Sequence, residues 1–312
     1  MNPAIVVAGP TASGKSALAL AIARKFDGVV INADSMQVYD VLRVVTARPS
    51  AADESLAPHR LYGVLAPSIA CSAALWRDMA AAEMDRAWAE GKLPVVVGGT
   101  GLYIRTLTQG ISPIPEIPEP VRATARALLA ELGNQRFHAM LADRDPVMAA
   151  RLDVGNSQRL ARAFEVIEAT GRSLAEWQAD PREGAQPARW LTLSLAPPRD
   201  ALYAACAGRF RQMVAQGALD EVAALRALDL DPQLPACKAL GVPELAAHIR
   251  GECDLETAIA AATQATRNYA KRQLTWFRHQ LDAPEVISAQ FSESIFAEIF
   301  PKIRHFLLTG AA

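Results

Sequence analysis

Ala4-Ile5-Val6-Val7-Ala8-Gly9-Pro10-Thr11-Ala12-Ser13-Gly14-Lys15-Ser16 is the stretch that decides the fold. Its first five residues form a continuous apolar run closed by Gly-Pro, which predicts a short strand buried on both faces. Gly9 to Ser16 then fit G-x-x-x-x-G-K-[ST], and from Ser16 to Phe26 apolar residues recur at helical spacing. Strand, loop and helix in that order make a phosphate cradle. Backbone N–H groups of the loop face the anion, and the helix N-terminus adds positive potential. Lys15 supplies a mobile charge, and Ser16 supplies a hydroxyl for a magnesium ion.

Further strands follow. Val29-Val30-Ile31-Asn32 predicts one that ends at Ala33-Asp34-Ser35, and Arg60 to Leu65 is a candidate third. A helix is expected over 72–90, with Ser72 as N-cap and Gly91 as stop. Pro94 to Val97 predicts another buried strand, ended by Gly98-Gly99-Thr100-Gly101. Alternating strands and helices imply an α/β fold, a P-loop NTPase-like parallel sheet flanked by helices.

The texture changes near Gly110. Pro113, Pro115, Pro118 and Pro120 read as a stiff hinge, and from Val121 to about Ala179 the pattern is helical throughout. Arg189 to Leu195 reads as a strand again, and long helices then dominate, one of them over 255–281. The expected organisation is a P-loop core over 1–112, a small all-helical insertion over 113–188, and the rest of the core over 189–312.

Composition narrows the function. The chain has 312 residues, 51% of them hydrophobic, enough for one large or two small domains with a proper core. A formal net charge of -1 excludes a globally basic nucleic-acid binder and leaves room for a locally basic face. The four cysteines form no C-x-x-C pair and the five histidines are scattered, which argues against a zinc knuckle, a redox pair or a protein-built transition-metal site. The N-terminal apolar run is too short to span a membrane and lacks a signal peptide's flanks. A cytoplasmic monomer is expected, with no obligate protein partner.

A nucleotide hydrolase needs an apolar strand ending in Asp to order its magnesium. The best such strand here ends in Gly98-Gly99-Thr100, without a carboxylate. The first acid after a strand is Asp34, at a strand's carboxyl end, where open parallel sheets place their ligands; a turn or N-cap aspartate would look the same. Basic residues cluster at Gln158-Arg159-Leu160-Ala161-Arg162. They also cluster on the helix over 255–281, where Arg267, Lys271 and Arg278 share one face, Arg272 flanks them, and Tyr269 and Trp276 share a neighbouring face of apolar character. Solvated surface and phosphate contact both fit such arginines, and core packing fits the two aromatics better than a base-stacking platform does. Arg209 and Lys238 stand alone.

Four strings in this order resemble the tRNA dimethylallyltransferase (tRNA isopentenyltransferase) family, bacterial type: the P-loop, Asp34-Ser-Met-Gln-Val-Tyr39, Val97-Gly-Gly-Thr-Gly-Leu-Tyr103 and Ala270-Lys-Arg-Gln-Leu-Thr-Trp-Phe277. Fainter echoes are Thr46-Ala-Arg-Pro49 and the segment from Asp145-Pro146 to Gln158-Arg159. The resemblance covers essentially the whole chain. It implies transfer of a dimethylallyl group from dimethylallyl diphosphate to the N6 amine of the adenosine 3′ of the anticodon, in tRNAs reading codons that begin with U. It implies Asp34 as general base. It implies Lys15, Ser16 with Mg2+, Thr100 and Arg209 on the diphosphate. Ser35, Met36 and Gln37 would hold the flipped adenine. Gln158, Arg159, Leu160, Ala161 and Arg162, with Lys238, Lys271, Arg272 and Gln273, would lie along the anticodon stem-loop.

The chain departs from the family in three places. It reads Val45-Thr46-Ala47-Arg48-Pro49 for the usual Gly-Thr-Ala-Lys-Pro, and His59-Arg60-Leu61-Tyr62-Gly63 for His-His-Leu-Ile-Asp. It reads Asn156-Ser157-Gln158-Arg159 for Asn-Asp-Pro-Gln-Arg. An adenylate dimethylallyltransferase, a small-molecule P-loop kinase and a nucleotide-gated RNA-binding protein are the alternatives.

Overall fold

The computed structural model describes residues 1–309. β1 (Pro3–Ala8) leads through the P-loop into α1 (Lys15–Lys25) and back to β2 (Gly28–Asn32). α2 (Ala51–Leu56) begins at a Ser50–Asp53 capping box, and β3 (His59–Arg60) follows. α3 (Ala73–Ala89) starts where the Ser72 hydroxyl accepts the Leu75 N–H, and leads to β4 (Leu93–Gly98) and α4 (Gly101–Gln109). Next come α5 (Glu119–Arg144), α6 (Pro146–Arg151), α7 (Ser157–Thr170) and α8 (Leu174–Ala179). The chain continues with β5 (Arg189–Leu195), α9 (Arg199–Ala215), α10 (Ala218–Ala227) and α11 (Val242–Ile249). It closes with α12 (Leu255–Gln280), β6 (Glu285–Ile287) and α13 (Phe296–Leu308).

Six strands form one parallel sheet in the order β3-β2-β4-β1-β5-β6. The continuous Val/Ile runs have their cause here. Alternate residues of β1, β2 and β4 feed two cores. Val6, Ile31 and Val96 face one with Trp76 and Ile104, while Ile5, Val7, Val30 and Val95 face the other with Leu18, Ile22 and Ile299. Each fully buried Val or Ile contributes about 1.5–3 kcal/mol. From β1 the chain runs outward to β2 and β3, returns to β4 beside β1, and then crosses to β5 on the other flank. The crevice at the carboxyl ends of β1 and β4 is therefore the point where strand order reverses, which is where open α/β sheets bind ligands.

Two expectations need correction. The candidate strand over 60–65 shrinks to His59–Arg60, because Leu61 (φ 63°) and Gly63 (φ 60°) turn the backbone into the left-handed region. The short β6, paired in parallel with Leu193–Leu195, was not foreseen among the terminal helices.

Among the described residues, 1–108 and those from 186 onward form one compact unit, and 109–185 form a second. The second is helical, built from α5 to α8 around Phe137, Leu141, Leu160, Phe164 and Leu174. No helix among the described residues is long and apolar enough to cross a membrane.

Candidate active site

Three strand ends converge. After β1, Ala12 (φ 63°) and Gly14 (φ 86°) take left-handed conformations that curl the P-loop, and no side chain caps α1. The first-turn N–H groups of that helix are thereby left for an anion. Lys15 is 9% exposed, and its ammonium donates to the Pro10 carbonyl at 3.3 Å. Burial pushes its pKa down to about 8, with Arg209 pushing the same way and Asp34 opposing. The far side of the loop is braced from late in the chain. The Gln290 amide donates to the Ala12 carbonyl at 2.7 Å, and the Phe291 N–H donates to that of Ser13 at 3.3 Å.

After β2, a buried asparagine aims the acid. The Asn32 side chain accepts the Asp34 N–H at 2.9 Å and donates at 3.0 Å to the carbonyls of Asp34 and Leu61. The Asp34 carboxylate in turn accepts the Met36 N–H at 2.9 Å. After β4, close approach replaces a carboxylate. A Cβ at Gly98 would lie 2.0 Å from the Ala33 carbonyl oxygen, so only glycine lets the ends of β2 and β4 come this near. Thr100 then donates its N–H to Ala33, accepts the Ser35 N–H at 3.0 Å, and bonds the Ser35 hydroxyl at 3.2 Å.

Two helices wall the site. Arg209 on α9 lies 3.5 Å from the Thr11 hydroxyl; burial lowers its pKa while Asp34 supports its charge. On α12, Thr266, Tyr269, Gln273 and Trp276 recur at helical spacing across the site. Two cavities result, with Arg209 lining both. One, about 450 Å³, runs along Gly14, Lys15, Ser16, Arg24, Arg48 and Phe291. The other, about 290 Å³, joins Thr11, Asp34, Ser35 and Tyr269 to the apolar Val45, Phe210, Met213 and Leu240.

The loop carrying Val45 and Thr46 is pinned by a residue that sequence reading missed. The Glu221 carboxylate on α10 accepts the N–H groups of Arg43, Val44 (2.8 Å) and Val45 (2.7 Å). Two of the departures from the family pattern find their place near it. The left-handed residue here is Ala47 (φ 50°), so a side chain at position 45 costs no backbone strain, and Val45 is buried in the cavity wall. Gly63 lies under the Arg48 guanidinium, 2.2 Å from where its Cβ would stand.

Lys15, Ser16, Asp34, Ser35, Met36, Thr100 and Arg209 are thus brought together around the strand ends. Other expected site residues lie differently. Gln273 is 5% exposed and faces the interior, its amide bonded to Thr11 N–H and the Gly99 carbonyl. The Gln37 amide nitrogen is spent on the carbonyls of Thr46 and Ala47. Leu160 is buried in the helical unit's core and Ala161 is buried beside it in sequence, while Gln158 and Arg159 are exposed at the start of α7 and Arg162 is partly so. Lys238, Lys271 and Arg272 are exposed; Lys238 bonds Gln233 at 2.6 Å. No cluster of three or more His, Cys, Asp or Glu able to hold a metal occurs among the described residues.

The family model described as IPP transferase matches residues 37–280, and that of isopentenyl transferase matches 3–65. A tRNA dimethylallyltransferase of Paramagnetospirillum magneticum is 66% identical over 309 residues, covering 99% of this chain and 98% of that protein. One of Rhodospirillum centenum is 60% identical, covering 90% of each. The full-length tRNA isopentenylpyrophosphate transferase of Bacillus halodurans superposes with a TM-score of 0.73 at 30% identity, over 99% of this chain and 98% of that one. A eukaryotic dimethylallyltransferase acting on tRNA shares the fold, with a TM-score of 0.84 at 23% identity over 100% of this chain and 81% of that one. The chain belongs to the tRNA dimethylallyltransferase family of transferases.

Proposed function

We propose that the chain transfers the dimethylallyl group of dimethylallyl diphosphate to the N6 amine of the adenosine 3′ of the anticodon, in tRNAs whose codons begin with U. The observation that carries this reading is the pairing of two cavities through Arg209, one floored by the P-loop and the other holding Asp34 beside apolar walls. A diphosphate fits the first, and a base with a prenyl tail fits the second. The lack of a carboxylate at the end of β4 weighs against nucleotide hydrolysis.

The chain's residues divide the work. P-loop N–H groups, Lys15 and Arg209 stabilise the charge that builds on the leaving diphosphate. The allylic C–O bond breaks with its electron pair passing to that diphosphate, and the N6 nitrogen forms the new C–N bond. Asp34 takes the proton that N6 gives up, which helps a nucleophile whose lone pair is delocalised into the ring. Thr100 holds Ser35 and thereby the turn that aims Asp34. Exposed Gln158, Arg159, Lys238, Lys271 and Arg272, with the partly exposed Arg162, contact phosphates and loop bases.

A magnesium ion is compatible with the residues present. Ser16 is exposed and lines the P-loop cavity, and Mg2+ binds through one or two protein oxygens plus substrate phosphates. Ser16 would hold it, and the ion would neutralise charge on the diphosphate.

The decisive assay incubates the protein with labelled dimethylallyl diphosphate, bulk tRNA, AMP and ATP. Label in tRNA and none in AMP is the expected result. ATP turnover without prenyl transfer would sink the reading.

A further inference from the structure

One aromatic ring in the Asp34 cavity has no part in holding phosphate. Tyr269 lies outside the hydrophobic clusters of the described residues and lines the cavity beside Asp34, Ser35 and Met36. Its hydroxyl lies near Thr100 and Gln273, and burial beside Asp34 keeps the phenol protonated well above its ordinary range. The Arg272 guanidinium stands over the ring, 5.6 Å from its centroid. The other nearby rings are otherwise engaged. Trp276 covers Gly101 and carries Arg105, and Phe210 is 3% exposed within the core. A partly exposed aromatic side chain in a cavity with a carboxylate suits a planar heteroaromatic guest. Unpaired bases are recognised by stacking on such rings.

We infer that Tyr269, lining the cavity beside Asp34 and backed by Arg272, is the ring on which the acceptor nucleobase stacks, setting its exocyclic amine toward Asp34. The assignment rests on the RNA-acceptor reading above. It gives the α12 aromatic a specificity role: a base that cannot stack is not held long enough to react.

The test uses an anticodon stem-loop RNA with 2-aminopurine at the acceptor position. That base lacks an amine at C6, so it reports binding without chemistry. Wild-type protein should quench its fluorescence on binding. Tyr269→Leu should abolish the quench and lower kcat/KM for natural RNA roughly 10- to 100-fold, the range for one lost base–aromatic stack. Tyr269→Phe should keep the quench. Calorimetric binding of inorganic pyrophosphate by both variants checks that the P-loop side is intact. A quench retained by RNA-bound Tyr269→Leu, or lost equally in Tyr269→Phe, would overturn the assignment alone. Failure of the wild-type chain to bind the RNA would overturn the RNA reading and this inference with it.

Discussion

Gln273 and Thr11, 262 positions apart, are joined by one short hydrogen bond: the Gln273 Oε1 accepts the Thr11 N–H at 2.8 Å. The same amide donates to the Gly99 carbonyl at 2.8 Å, so one buried side chain ties α12 to the loops after β1 and β4. Gln273→Leu leaves two backbone groups without partners, at a cost of about 1–3 kcal/mol each in burial. The expected outcome is a lower Tm and a raised KM for dimethylallyl diphosphate, with the Kd for tRNA little changed. Weakened tRNA binding at an unchanged donor KM would place the side chain on the RNA instead.

Asp34 can be tested with its turn preserved. Asp34→Asn keeps an oxygen for the Met36 N–H but cannot take a proton. Single-turnover rates should fall by roughly 10²-fold or more, the range for a general base, while tRNA affinity stays within a few-fold of normal. Equal losses in both would recast Asp34 as a binding residue.

Lys15 makes diphosphate binding sensitive to pH. Its pKa is lowered to about 8 in the free protein, so above that pH the free site has lost its proton. A bound diphosphate favours the ammonium, and binding must then take a proton up. Pyrophosphate affinity should fall as pH rises through about 8, with proton uptake visible by calorimetry in buffers of different ionisation enthalpy. In Lys15→Arg, whose guanidinium keeps its charge, the component of the pH dependence due to this residue should vanish.

Glu221 predicts an effect at a distance from the chemistry. It accepts three successive N–H groups of the loop that bears Val45 and Thr46. Glu221→Ala should destabilise the chain by about 1–3 kcal/mol, since bonds to a charged acceptor are the stronger kind and water can replace some of them here. Denaturant unfolding should report that loss, and kcat/KM should fall as the cavity wall loosens. Glu221→Gln should recover part of both. Wild-type stability in Glu221→Ala would show that solvent serves the loop as well as the carboxylate does.

What was legible beforehand was what the chain writes locally. β1, the P-loop and α1 are contiguous, so their periodicity and glycine spacing carry the reading by themselves. Asp34 could be singled out because it follows a strand. The bond network that aims it could not, since Asn32 reads as one more strand residue until Leu61 comes within 3.0 Å. The placement of Gln273 was likewise illegible. On a helix with exposed basic neighbours it looks like an RNA contact, and only tertiary packing shows which way it points. The third strand was overextended because its apolar content continues after the backbone has turned at Leu61. Glu221 offers no local sign, because what it holds lies 176 to 178 positions upstream.

The brace behind the P-loop carries a consequence for the order of synthesis. Gln290 and Phe291 fasten a loop made 278 positions earlier. A growing chain makes its anion cradle almost at once, yet these two bonds to it cannot form until nearly all the described residues have been made. The brace on this loop therefore forms late, after α5 to α12 have been made.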